Sequence, residues 1–287
     1  MSHNPSRERK QLDLTVVVPT RNAIRTLRPT LESLRPLREA GARVIVVDSD
    51  STDGTPETAR QMADLILDCP PGNMYAAVNF GLRRASTGWL GYLNADDLVF
   101  AETLATALSQ AGEDAALLYG DLDYIDREGR FVHAVSMPPP GDILPLAALG
   151  ISAVSPIGTV FRRQVFEALG GFDERWRLAG DFDFFARAGL QGFAFRKIGG
   201  GSVGAFRLHA SQFSVKALGS IHDEVGRIVA ARSWPVSRAR SRWARWMMGL
   251  RNLPSYLIRW WRSHARGGSL GRLPDCLDDG DPRSGGR

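Results

Sequence analysis

The chain has 287 residues, 44% of them hydrophobic, enough for one large α/β domain with appendages or for two small domains. Its two cysteines, Cys69 and Cys276, fit neither a disulfide framework nor a zinc spacing, and agree with a reducing compartment. The longest apolar run, 143–154, is broken by Pro145 and Gly150 and falls short of the roughly 20 residues a bilayer span needs.

The net charge of +5 hides an asymmetry. Val225 to Leu273 holds eleven Arg and no acidic residue, which leaves 25 basic and 31 acidic residues elsewhere. Five of the seven tryptophans also lie there. The composition predicts a polar tail over 1–12, a main globular domain over 13–219, an Arg/Trp-rich helical extension over 220–266 and a disordered tail over 267–287. Met1 to Gln11 carries no apolar leader, which predicts a chain that starts in the cytoplasm.

In chain order, Leu14 to Pro19 reads as a strand buried on both faces. A helix to about Ala40 follows, with Ile24, Leu27, Leu31, Leu34 and Leu37 at spacings of three and four. Arg43 to Val47 is a second buried strand that runs into the polar stretch Asp48 to Thr55, where Asp53 or Thr55 can cap a helix through Met62. Leu65 to Leu67, a helix over Met74 to Ala85 and a strand over Trp89 to Leu93 continue the alternation. That pattern calls for a doubly wound, mainly parallel sheet with ligands at the carboxyl ends of its strands.

Two adjacent carboxylates, Asp96 and Asp97, stand at such an end, and like charges so close ask for a cation or a set of donors. No GxGxxG follows the first strand and no GxxxxGKS/T occurs, so the dinucleotide and P-loop phosphate cradles are absent. A carboxylate cluster with a divalent ion is then the better candidate to neutralise a diphosphate. Further on, 119–126 and 131–135 read as a strand pair, with Asp121 and Asp123 either near a sugar or on a solvated edge. Ser155 to Phe161 reads as a buried strand, Gln164 to Leu169 as a helix stopped by Gly170 and Gly171.

The segments VVVPTRN, VIVVDSDSTDGT, GNMYAAVNFGLRRASTGWLGYLNADD, SPIGTVFRRQVFEALGGF and DERWRLAGDFDFFAR, in this order and spacing, resemble the successive motifs of family 2 glycosyltransferases with the GT-A fold, of the capsular-polysaccharide type. The resemblance spans about Leu14 to Ser214. It implies that Pro19, Thr20 and Asn22 lie beside a nucleotide and that Asp48 receives its base, with Asp50 and Ser51 as neighbours. Asn79 and Arg83 face the same region in such enzymes. The run from Asp48 to Gly54 is also what a polar turn and helix cap require, and Asp53 is read as a cap.

Asn94 to Asp97 resembles the family's DXD-type metal motif, with Asn94 in place of the first Asp. The resemblance implies Asp97 as a ligand of Mn²⁺ or Mg²⁺, Asp96 as partner of ribose or donor sugar, and His209 as the residue that completes the metal shell. Relatives often carry a histidine at the place of Gly158. Asp181 aligns with the acid that acts as general base, and Asp183 with structural support; a helix cap is the plain alternative for Asp181.

The expected activity is metal-dependent, inverting transfer of a sugar from a nucleotide-diphosphate sugar to a hydroxyl of a glycan or lipid-linked glycan, as in cell-surface polysaccharide biosynthesis. A non-catalytic, membrane-associated sugar-nucleotide-binding protein is the rival. In the basic segment Trp243, Trp246, Met247 and Leu250 recur at helical spacing, and Leu257, Trp260 and Trp261 repeat them. Such a helix can lie on an anionic membrane, which predicts peripheral attachment to the inner face of the plasma membrane. Packing back onto the catalytic domain is the alternative, and no nucleic-acid fold accompanies the arginines.

Overall fold

The strand β1 (Leu14–Thr20) is buried along its whole length, as its unbroken apolar sequence requires. It is the centre of a nine-stranded sheet in the computed structural model of the protein, which describes residues 11–208 and 218–265. His209, the start of the chain and the tail expected over 267–287 lie outside the described residues.

Beside β1, the strands β2 (Arg43–Asp48), β3 (Leu65–Asp68) and β4 (Trp89–Tyr92) are all parallel. The helices α1 (Ile24–Glu39), α2 (Thr55–Met62) and α3 (Met74–Leu82) make the crossovers. In α1 the predicted stripe Leu27, Leu31, Leu34 and Leu37 is buried, whereas Ile24 at the first turn is 39% exposed. The α3 helix lies so close to the sheet that a Cβ on Gly81 would stand 2.7 Å from Val17 and 2.9 Å from Val47, which only glycine permits.

The second half of the sheet is mixed. It runs β4, β8 (Val160–Arg162), β6 (Leu117–Ile125), β9 (Phe195–Arg207) and β5 (Leu98–Val99), with β7 (Phe131–Val135) paired antiparallel to β6. Between these lie α4 (Ala101–Ser109), α5 (Ile143–Ala147), α6 (Arg163–Leu169) and α7 (Gly180–Leu190). The strand expected from Ser155 begins only at Val160: Ser155 to Thr159 form a turn in which Gly158 has φ +65°. A Cβ at Gly158 would lie 2.8 Å from the carbonyl of Val203, so no histidine fits there.

The long strand β9 has no counterpart in the sequence reading. Gly199, Gly200 and Gly201 interrupt its apolar pattern, yet it pairs parallel to β6 on both sides of a register shift and antiparallel to β5. It carries the chain back to the loop after β4.

The expected boundary at residue 220 falls inside α8 (Leu218–Ala230), and that helix is tied to the catalytic half. The Glu224 carboxylate accepts the backbone N–H groups of Arg177, Leu178 and Ala179, directly before α7. Arg232, beyond the end of α8, pairs with Asp183 of α7, which also binds Arg187 at 2.6 Å. The last helix, α9 (Arg238–Ala265), packs on β7 and α5. Asn252 of α9 accepts from Ser136 N–H at 2.7 Å and donates to its carbonyl at 3.0 Å.

Asp183 is fully buried between two guanidinium groups, the structural role expected of it. Removing it leaves both without their counter-ion. Asp183→Ala is therefore expected to lose about 3–5 kcal/mol in urea unfolding, and a loss under about 1 kcal/mol would place the pair among ordinary surface contacts.

Candidate active site

The carboxyl ends of β1 and β2 bring together most of the predicted nucleotide-side residues. Asp48 is buried, and its Oδ1 accepts from Thr20 Oγ1 at 2.9 Å and Ser51 Oγ at 2.6 Å, while its Oδ2 accepts Ser51 N–H at 2.9 Å. Asn22 N–H donates to Ser51 Oγ at 2.8 Å, and Asn22 Oδ1 accepts Thr52 N–H at 2.9 Å, so the two loops are laced together. Asn22 and Asp50 both sit at left-handed φ, +51° and +61°. Non-glycine residues there are uncommon and concentrate at functional loops.

Asp53 has the capping role expected of it. Its carboxylate accepts Thr55 N–H at 3.1 Å at the start of α2 and Ile24 N–H at 3.1 Å at the start of α1.

Pro19 keeps its place beside Thr20 at the end of β1, whereas Asn79 and Arg83 stand elsewhere. Pro19 is buried in β1 opposite Val47. Asn79 is 1% exposed and clasps the backbone of Phe172, with N–H to Oδ1 at 2.9 Å and Nδ2 to carbonyl at 2.8 Å, while Nδ2 also reaches Glu174 at 2.8 Å. Its polar atoms are thereby committed to scaffold. Arg83 is exposed and lies 4.0 Å from Glu174.

The clasp at Phe172 builds the other half of the site. Phe172 stacks on Phe184 of α7 at 4.2 Å and on Tyr75 of α3 at 5.7 Å, and meets Tyr92 of β4 edge-on at 5.3 Å. This fixes the Tyr75 hydroxyl, which donates to Asp181 Oδ1 at 3.1 Å. Asp181 Oδ1 also accepts Phe182 N–H at 2.8 Å in the first turn of α7. Among the described residues no basic side chain pairs with Asp181, and its Oδ2 accepts no hydrogen bond.

Burial pushes the Asp181 carboxyl above the ordinary aspartate range, against the pull of those two donors. Burial, then the Asp181 charge, drives the Tyr75 hydroxyl well above its usual value. The same two causes act on Tyr92, which feels Asp97 as well and so lies between the two acidic centres.

At the end of β4, Asp97 is fully buried. Its Oδ1 accepts Arg207 N–H at 3.1 Å and its Oδ2 accepts Asn94 Nδ2 at 3.1 Å, while its carbonyl accepts from Thr30 Oγ1 at 2.8 Å. Burial, then the neighbouring Asp96 charge, holds its carboxyl well above the ordinary range. Fully enclosed, Asp97 braces the loop against β9, and each carboxylate oxygen, with one donor, keeps a second lone pair. Asp96 keeps part of its surface exposed, and its carbonyl accepts Arg207 Nε at 2.9 Å.

A divalent ion fits this loop on one further observation. Asn94 Oδ1 is buried and accepts no hydrogen bond, and an orphaned hard oxygen next to two carboxylates suits Mg²⁺ or Mn²⁺. Among the described residues no three His, Cys, Asp or Glu side chains converge on one point. β9 ends at Arg207, whose N–H donates to Asp97, two residues before His209.

Asp121 and Asp123 belong to the sheet. Asp121 binds Lys197 Nζ and Met137 N–H, each at 2.7 Å, and Asp123 accepts from Ser202 Oγ at 2.6 Å. The residues that sequence reasoning missed are Tyr75, Tyr92, Arg207 and Glu224. Each acts on a partner far along the chain, as Tyr75 does on Asp181 across 106 residues, and no local pattern marks such pairs.

The family model described as Glycosyl transferase family 2 matches residues 15–170. A PGL/p-HBAD biosynthesis glycosyltransferase of Mycobacterium tuberculosis is 28% identical over 183 residues, covering 60% of this chain and 68% of that protein. Among solved structures, Staphylococcus aureus TarS 1–349 in complex with UDP-GlcNAc superposes with a TM-score of 0.61 at 20% identity, over 80% of this chain and 69% of that one. The mannosyltransferase PcManGT from Pyrobaculum calidifontis, in complex with GDP-Man and Mn²⁺, gives a TM-score of 0.55 at 22% identity, over 92% and 77%. These two likenesses show the fold.

A carboxyl whose folded pKa is raised is more stable protonated, so its ionisation lowers stability as pH rises through that pKa. Asp181→Asn removes that term. The variant is expected to melt above wild type at neutral pH, with the advantage shrinking as pH falls toward the ordinary aspartate range. A difference that grows in acid would contradict the half-buried, unpaired state of Asp181.

Proposed function

The chain belongs to glycosyl transferase family 2 and folds as a GT-A glycosyltransferase, and from that premise we propose an inverting, metal-assisted enzyme with Asp181 as its general base. The observation that carries this reading is the Asp181 carboxylate: half-buried, held at Oδ1 by Tyr75 and, among the described residues, without a basic partner and with Oδ2 free of donors. An acid so placed, with a pKa raised by burial, is a stronger base than a solvated aspartate.

The step balances as a single displacement. The acceptor hydroxyl oxygen bonds to the anomeric carbon as Asp181 takes its proton. The bond from that carbon to the diphosphate breaks, and its electron pair leaves with the diphosphate oxygen. Attack from the face opposite the leaving group inverts the configuration, so no second nucleophilic carboxylate is required.

On the donor side, Asp48, preset by Thr20 and Ser51, accepts from the nucleotide base, with Asn22 and Asp50 shaping the loop around it. Asp97 and the unpartnered Asn94 Oδ1 would hold Mn²⁺ or Mg²⁺, with Asp96 turned toward the ribose or donor sugar. The ion, when bound, neutralises the charge of the leaving diphosphate. That PcManGT is in complex with GDP-Man and Mn²⁺ supports this reading of the loop. The acceptor is a hydroxyl of a glycan or lipid-linked glycan.

UDP-, GDP- and dTDP-sugars with Mn²⁺ should be screened by thermal shift. One of them is expected to raise Tm by about 5 °C at a hundredfold excess over its Kd, and EDTA to reverse most of the rise. Asp48→Ala should weaken that binding about 10- to 100-fold, the worth of a hydrogen bond to a charged group. If no nucleotide sugar shifts Tm with either metal, the donor assignment fails.

A further inference from the structure

A helix on a protein surface ordinarily turns its apolar stripe inward. In α9 the arrangement is reversed. Its inner stripe is small and polar: Ser241, Ala244 and Asn252 are at most 2% exposed, and Asn252 is fixed to Ser136. Arg240 adds a bond to the Gly141 carbonyl at 3.0 Å and an ion pair with Asp142. Its outer stripe is apolar and uncovered, with Trp243 56%, Trp246 55%, Leu250 43%, Leu253 47% and Leu257 55% exposed.

That stripe runs roughly 22 Å along the helix at 1.5 Å per residue. The Trp243 and Trp246 rings lie 5.1 Å apart, and exposed Arg242 and Arg245 border them in a shallow groove that Gly249 opens. No acidic residue occurs between Val225 and Leu273. Among the described residues no helix is long and apolar enough to cross a membrane.

We infer that the outer face of α9 is a docking surface for an anionic phospholipid bilayer, in which the helix lies flat while its inner stripe carries the catalytic domain. Charge and side-chain type select this occupant. A convex stripe of Trp and Leu edged by unopposed Arg matches the boundary between acyl chains and anionic headgroups, where indole rings settle and guanidinium groups reach phosphate. The inference rests on the geometry of α9 and holds whatever sugar is transferred.

Flotation of the full chain with vesicles tests it without any activity measurement. Wild type is expected to float with phosphatidylcholine vesicles containing phosphatidylglycerol, and to float poorly with phosphatidylcholine alone or at high salt. Arg242→Ala/Arg245→Ala should bind about 25-fold more weakly, near fivefold per arginine. Trp246→Glu/Leu250→Glu should abolish flotation at unchanged Tm, since both side chains are exposed. Wild type that stays unbound with anionic vesicles overturns the inference, as does undiminished flotation of the Trp246→Glu/Leu250→Glu variant. Sedimentation velocity supplies the rival outcome: a dimer of wild type that the same two substitutions dissociate assigns the stripe to a second copy of the chain.

Discussion

The constraint on which the structure turns is a half-buried carboxylate, without a counter-ion among the described residues, at the first turn of α7. Leaving Asp181 so exposed to desolvation is unfavourable, and it persists only because the surroundings over-determine its position. Tyr75 fixes Oδ1, the Phe172 stack fixes Tyr75, and Asn79 clasps the backbone of Phe172. From the other side Glu224 of α8 gathers the three backbone N–H groups before α7, and Arg187 and Arg232 anchor Asp183 two residues further on. An element counted by composition with the basic extension thus helps to set the geometry of the first turn of α7, where the proposed base stands.

The NADD loop follows the same logic from the opposite end of the site. Asp97, with no exposed surface, locks the loop to Arg207 of β9 and through its carbonyl to Thr30 of α1. Asn94 Oδ1, buried at the same loop, accepts no hydrogen bond among the described residues. Two adjacent aspartates that look equivalent in the sequence differ in burial: Asp97 is fully enclosed, and Asp96 keeps part of its surface exposed.

The sequence made the first half of the fold readable because its signals are local. The runs 14–19 and 43–47 are β-branched and apolar, the leucines of α1 keep helical spacing, and Asp, Ser, Thr and Gly mark the loop after β2. Asp48 and Asp181 were legible through the order of motifs. What was hidden depends on partners distant in the chain. The glycines of β9 conceal a strand whose order comes from β6 and β5, Asn79 reads as a nucleotide-side residue until Phe172 is placed against it, and Gly158 shows its reason only beside Val203. Patterning likewise gave α9 an apolar stripe but not the direction in which it faces.

The central claim is that Asp181 takes the acceptor proton. The most direct test compares nucleoside diphosphate release by wild type and Asp181→Asn, using the nucleotide sugar that binds with Mn²⁺, alongside calorimetric binding of the same donor. The account predicts a loss of about 10²- to 10⁴-fold in release with donor affinity essentially unchanged. Release at the wild-type rate by the Asn variant would contradict it.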